Sequence, residues 1–314
     1  MSDQVTICEC FARDGLQHEA APLATADKVA AIDAFTAAGF PRIEATSYSH
    51  PGQVPAFRDA SEVLASIQRA PGVFYKATCP NPRAVSRAAA DLDVGHGANE
   101  LSLLVSATEG HTARNLRTTR AAQWDSVTEM VRLAAGRFRL VGVISVALGC
   151  PFEGAVDPGA VVADAARFGA MGVTLVSIGD TTGLGTPATV RALFRRLASE
   201  APGVTPVAHF HNTRGTGLAN CMAALEAGCR FFDSAFGGVG GHPAQIQYGE
   251  GMTGNVATED LVNLLEAEGM DTGLDRGGVL AASRLCEDLL GRNLHSMVAR
   301  AGFGLLPQPG LAHA

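Results

Sequence analysis

Short apolar and β-branched runs alternate with longer Ala-rich segments of helical period from one end of the chain to the other. Eight runs read as strands, at 5–10, 42–45, 73–77, 100–105, 141–147, 175–179, 207–211 and 231–235. A helical segment follows each, as in "ATADKVAAIDAFTAAG", "DPGAVVADAARFGAMG" with Pro near its start, and "TGLANCMAALEAG" closed by Gly228. Eight β-then-α units without a long polar linker predict a closed (β/α)8 TIM barrel over residues 1–275 rather than an open doubly wound sheet. The stretch "GVLAASRLCEDLLGRNL" adds C-terminal helical structure over 276–314, packed on the barrel, and "PQPGLAHA" reads as a loose tail.

With 314 residues, 47% apolar and 18% charged, the chain builds a large core and is not disordered. A net charge of -7 without clustered Lys and Arg excludes a nucleic-acid-binding face and favours a small-molecule partner. The start "MSDQVTICEC" lacks an export signal, and no uninterrupted apolar run of about 18 residues spans a membrane, so a cytoplasmic location is expected. Seven cysteines without CxxC pairs fit reduced, buried thiols; Cys8 and Cys10 share one face of the first strand as inert packing.

In such a barrel, catalytic residues sit where strands end and loops begin. The first strand ends in "ICECFARDGLQHE", placing Arg13 and Asp14 at that rim. A surface turn needs only the Asp-Gly pair, with Gly15 at positive φ, and leaves Arg13 and Gln17 unexplained. Glu44 in "IEATSYSHP" ends the second strand. In "PVAHFHNT", His209 and His211 lie two apart and project from one side of the seventh strand. That pair suits a divalent cation and equally suits two packed, hydrogen-bonded histidines. Adding Asp14 gives mixed nitrogen and oxygen ligation of the kind Mg²⁺ or Mn²⁺ accepts.

The ordered series "ARDGLQHE", "IEATSYSHPGQVP", "ALGCPFEG", "SIGDTTGLGTP", "HFHNTRGTGLANCMAALEAG", "DSAFGGVGGHP" and "TGNVATEDLVNLLEAEGMDTG" resembles the HMG-CoA lyase family and the wider group of TIM-barrel, metal-dependent lyases and Claisen-type synthases. The resemblance implies metal ligands at Asp14, His209, His211 and Asn255, a substrate-polarising Arg13 with Gln17 beside it, and acidic residues Glu9 and Glu44 shaping the site. It implies further rim positions at Ser47, Ser177, Asp180 and Thr181, for which turn and cap chemistry is an alternative. The implied activity is cleavage of a tertiary 3-hydroxyacyl-CoA, such as HMG-CoA or citramalyl-CoA, to acetyl-CoA and a keto acid. Asp14 or His211 is the implied proton acceptor. A homodimer is also implied. An acetyl-CoA-dependent Claisen synthase and a non-catalytic metal-binding scaffold remain as alternatives.

Three positions depart from the family pattern. His242 stands where HMG-CoA lyases carry a loop cysteine that protonates the enolate, either as a replacement acid or as an exposed loop residue, and the loop onward to Asn255 is longer. Val141-Gly142-Val143 replaces Arg-Gly-Tyr on the fifth strand, and Ala20 replaces a lysine, so a more apolar pocket is expected. His18, His50, His96 and His111 lie in polar surroundings and read as solvated, with His18 within reach of substrate through its motif. Cys150 reads as buried, and "GLGTP" as either a phosphate loop or a strand-to-helix turn.

Overall fold

The structure, a computed structural model, describes residues 3–19, 21–241 and 254–304. Eight parallel strands close on themselves: β1 (Thr6–Glu9), β2 (Arg42–Ser47), β3 (Phe74–Cys79), β4 (Glu100–Ser106), β5 (Arg139–Ser145), β6 (Leu175–Asp180), β7 (Thr205–Phe210) and β8 (Phe231–Ser234). Closure comes from pairing of β1 with β8, Thr6 opposite Phe231 and Glu9 opposite Ser234. All eight expected strands form, with ends shifted by up to a few residues. The helices between them are α1 (Thr25–Ala37), α2 (Ala60–Ser66), α3 (Pro82–Asp93), α4 (Glu109–Asn115), α5 (Arg120–Ala134), α6 (Pro158–Ala170), α7 (Pro187–Glu200) and α8 (Gly217–Glu226). After β8 come α9 (Thr258–Ala267), α10 (Arg276–Leu290) and α11 (Val298–Ala301). No helix among the described residues is long and apolar enough to cross a membrane.

Strands buried on both faces must be apolar almost throughout, which is why they stand out in the sequence. The outward face joins the helices in one core that also takes in Val279, Ala282 and Cys286 of α10, which lies against α1. Helix starts are set by side chains that accept the first free N–H groups: Asn81 for α3, Thr119 for α5, Asp157 for α6 and Thr186 for α7. Pro82, Pro158 and Pro187 fill first-turn positions where no N–H is needed. Gly228, at φ 95°, lets the chain leave α8 in a left-handed turn.

Inside the barrel an apolar plug of Val141, Leu175 and Val207, with Phe231 against it, forms a separate cluster. Charged groups pair beside it. Arg42 donates to Glu100 through Nη2 at 2.8 Å and Nε at 3.1 Å, Arg139 pairs with the same carboxylate, and Arg42 Nη1 stands 3.7 Å from Asp233. Arg42, Glu100 and Asp233 are enclosed, so each of their charges depends on its partner, while Arg139 reaches Glu100 from a partly exposed position. Arg42→Met is expected to cost about 3 kcal/mol, because Asp233 loses a neighbour while Arg139 still covers Glu100. A fall in urea midpoint at unchanged m-value measures it; a midpoint within error of the parent's rejects the reading.

Candidate active site

The chain leaves β1 in one wide turn over Phe11–Gly15, in which the N–H groups of Arg13 and Gly15 both donate to the Cys10 carbonyl, at 3.2 and 3.1 Å. The second bond spans five residues, a rare winding often found at functional sites. Phe11 anchors it edge-on against Phe35 of α1, which in turn stacks on Phe236 after β8 with ring centroids 5.0 Å apart. Glu9 fastens the same region by accepting from Phe11 N–H, Phe236 N–H and Thr258 Oγ1. Burial pushes the Glu9 carboxyl well up, against those three hydrogen bonds. It acts on the site from behind. Gly15 does not adopt the positive φ that an Asp-Gly turn would use; its φ is −59°. A Cβ there would stand 2.6 Å from Val239 Cγ2, so close approach is what requires glycine.

That turn aims Asp14 at the seventh strand. His209 lies on β7 and His211 one residue past its end, their rings 5.4 Å apart. Asp14 Oδ2 is 3.7 Å from His211 Nε2 and 4.0 Å from His209 Nε2, and one donor atom from each of the three residues falls within 4.8 Å of the others. Asn255 reaches the same point because its backbone bridges His211. Its Nδ2 donates to Asp14 Oδ2 at 2.7 Å and to the Val239 carbonyl at 3.0 Å. Asn255 Oδ1 is buried with no hydrogen-bond partner among the described residues. Two imidazoles, a carboxylate and an amide oxygen left over is a donor set that fits a hard or borderline divalent cation. Asp233 lies behind His209, 3.3 Å from Nδ1, where it fixes the ring with Nε2 toward Asp14.

Charge in this cluster is tightly matched. Burial opposes ionisation of Asp14, but Arg13, His209, His211 and the Asn255 amide outweigh it and hold the carboxyl well below the usual range. Burial likewise works against a charged His209, yet its bond to Asp233 and the nearby Asp14 raise it. Arg13 is a hub: Nε is 2.8 Å from Glu44 Oε1, and Nη1 is 3.0 Å from Asp14 Oδ1 and 3.2 Å from Gln17 Oε1. Glu44 also accepts from Thr78 Oγ1 at 2.7 Å. Arg13, Asp14, Gln17, Glu44, His209 and His211 line one cavity of about 380 Å³ at the strand ends.

An HMGL-like family model matches residues 4–286. The chain belongs to this family. It is 38% identical over 301 residues to the mitochondrial hydroxymethylglutaryl-CoA lyase of Rattus norvegicus, covering 95% of this chain and 89% of that one. It is 37% identical over 300 residues to a 3-hydroxy-3-isohexenylglutaryl-CoA/hydroxy-methylglutaryl-CoA lyase of Pseudomonas aeruginosa, covering 95% and 97%. The structure superposes with a TM-score of 0.89 and 36% identity on an HMG-CoA lyase from Acinetobacter baumannii in complex with coenzyme A and 3-methylmalate, over 98% of this chain and 99% of the other. This HMGL-like chain is thus a carbon–carbon lyase of the hydroxymethylglutaryl-CoA lyase kind.

Other expected positions of this HMGL-like chain separate into those facing the cavity and those that build turns. Ser177 lines the cavity and donates to Asp233 at 3.3 Å. Thr181 lines it too, accepting the Val146 N–H. Ser47 bonds to Ser49 at 2.8 Å. Asp180 accepts from Leu184 and Gly185 N–H, both at 2.9 Å, so "GLGTP" is a strand-to-helix turn whose N–H groups are already used. Cys150 is buried, as are Cys8 and Cys10. His111 is not solvated: α4 turns it inward, 1% exposed, with Ser106 Oγ 2.7 Å from Nδ1. His242, most of the longer loop before Asn255, and Ala20 lie outside the described residues. The expected apolar pocket is corrected. Val143 does line it, with Val54, Leu104 and Leu116, but Lys76, Thr78, Ser145 and Asp233 share the same space. Lys76 and Asp233 were not foreseen; their signal was a charged residue inside an otherwise apolar strand, "FYKATC" and "FFDS".

Proposed function

We propose that the enzyme cleaves a tertiary 3-hydroxyacyl-CoA to acetyl-CoA and a keto acid by retro-Claisen chemistry, with Mg²⁺ or Mn²⁺ held by Asp14, His209, His211 and Asn255. The observation that carries this is the buried Asn255 Oδ1, unpaired among the described residues and grouped with Asp14 and both imidazoles. A divalent cation there supplies positive charge to the substrate's oxygen atoms. The protein's own groups do the rest. Asp14 or His211 accepts the hydroxyl proton. As C2–C3 breaks, its electron pair leaves with the acetyl-CoA fragment, and charge collects on the thioester oxygen. Arg13, its guanidinium fixed by Glu44, Asp14 and Gln17, supplies N–H donors to that oxygen. His242 is the proposed donor of the proton that converts the enolate to acetyl-CoA. The names of the Rattus and Pseudomonas relatives support a CoA thioester with a variable group at C3.

The test follows acetyl-CoA release from HMG-CoA and citramalyl-CoA with Mg²⁺ or Mn²⁺. Cleavage is expected with metal, with at least a tenfold loss after chelation and recovery on adding the ion back. No turnover of either thioester by metal-loaded enzyme rejects both substrates. Thiol release from acetyl-CoA and a 2-oxo acid, faster than cleavage, would make it a synthase instead.

A further inference from the structure

Below the Asp14–histidine cluster the barrel holds a cation that the metal donors and Arg13 leave unexplained. Lys76 comes from β3, where positions 76 and 78 both face the cavity. Its side chain is 3% exposed, with the ammonium 3.7 Å from Glu44 Oε1 and 3.9 Å from Asp233 Oδ2. Both separations exceed hydrogen-bond length. Each carboxylate already has nearer partners: Arg13 and Thr78 for Glu44, at 2.8 and 2.7 Å, and His209 and Ser177 for Asp233, both at 3.3 Å. Lys76 therefore makes no hydrogen bond to any described residue. Burial opposes the ammonium's charge, but Asp233 and Glu44 outweigh it and keep the group protonated, while its N–H donors stay free to meet an acceptor in the cavity.

The charge balance points the same way. Among the ion-paired Arg and Lys groups and their carboxylates, Arg13, Arg42, Lys76 and Arg139 stand against Asp14, Glu44, Glu100 and Asp233, four charges of each sign with no surplus anion. A divalent cation adds two positive charges, and one substrate carboxylate neutralises only half of them. The hydroxyls of Thr78, Ser145 and Ser177 line the same space and favour an oxygen-bearing group over an alkyl tail.

We propose that Lys76 is a specificity-determining residue that receives a second carboxylate of the acyl group, so that the preferred substrate bears a carboxylate at C3 where HMG-CoA bears a methyl. This deepens the lyase reading and rests on it. The bonds change as before: C2–C3 breaks, its electron pair leaves in the acetyl-CoA enolate, the hydroxyl proton is transferred to the enolate carbon, and the hydroxyl-bearing carbon becomes the ketone of a 2-oxo dicarboxylate.

HMG-CoA and citryl-CoA are matched probes, differing at C3 by methyl against carboxylate. Acetyl-CoA release is measured for both, with Mn²⁺, in the parent enzyme, Lys76→Met and Lys76→Arg. The parent is expected to favour citryl-CoA by about tenfold or more in kcat/KM. Lys76→Met should lower citryl-CoA turnover about 10²-fold more than HMG-CoA turnover, and Lys76→Arg should restore part of the difference. A parent enzyme that prefers HMG-CoA overturns the proposal. So does a Lys76→Met variant that loses both substrates by the same factor, which would mark Lys76 as a counter-ion for Glu44 and Asp233. Because the preference is read in the parent, a variant that fails to fold does not shield the idea. Metal-loaded enzyme that cleaves none of HMG-CoA, citramalyl-CoA and citryl-CoA overturns the lyase reading and this inference together; cleavage of HMG-CoA or citramalyl-CoA without the preference for citryl-CoA overturns this inference alone.

Discussion

Asp14→Ala is expected to lower kcat by about 10³-fold or more and to release the divalent cation at concentrations that saturate the parent enzyme. Asp14 Oδ2 is the atom on which the cluster converges, facing both Nε2 atoms and the Asn255 amide. Without it, two neutral imidazoles and an amide oxygen remain, and hard cations bind such sets poorly when no carboxylate is present. Asp14 is held well below the ordinary carboxylate range, so its charge persists above the unfolded pKa and is lost only as pH falls through the depressed folded value. His209, raised by its bond to Asp233 and by the nearby Asp14 despite burial, takes up a proton before Asp14 does on acidification. Metal binding should therefore weaken as pH drops through the imidazole range, with Asp14 still ionised. Bound Mn²⁺ and acetyl-CoA release, measured on the same samples, check both statements. A variant that keeps stoichiometric metal and near-parental kcat removes Asp14 from the site.

The barrel was legible because its strands are buried on both faces, so runs such as 141–145 and 175–179 are nearly continuous in small or apolar residues. Their ends were less so. β2 continues through Thr46 and Ser47, and β5 begins at Arg139, with Ser47 finding a partner in Ser49 at the rim and Arg139 in Glu100 within the barrel. Arg13, Asp14, His209 and His211 could be placed from strand ends and two-residue spacing alone. Asn255 could not, since its approach depends on the chain returning to bridge His211 from 44 positions away; only the family resemblance pointed to it. The Arg42–Glu100 pair needs the stagger of a closed barrel, which sets β2 side chains against those of β4 across β3, and no local pattern encodes that. His111 was misread for a related reason. Its neighbours in "TEGHTARN" are polar, yet a single helical turn puts His111 and Thr112 inward and leaves Glu109 and Arg114 outward.

Arg13→Met is expected to lower kcat by about 10²- to 10³-fold while leaving the metal in place, because it removes donors that matter most as charge builds on the thioester oxygen. Burial works against the Arg13 charge, but Glu44 and Asp14 outweigh it and keep the guanidinium protonated. Lysine is not an equivalent replacement. An ammonium carries the charge without the planar fork that meets Glu44 through Nε while Nη1 serves Asp14 and Gln17, so Arg13→Lys should recover only part of the loss. Replacing Arg13 also leaves Glu44 with Lys76 at 3.7 Å as its remaining ion-pair partner, which makes a fold control necessary. If thermal melting and bound Mn²⁺ match the parent while kcat falls and KM changes little, the arginine acts on the transition state. If instead KM rises with kcat unchanged, Arg13 holds substrate and enolate equally, and charge stabilisation in the bond-breaking step must come from other groups.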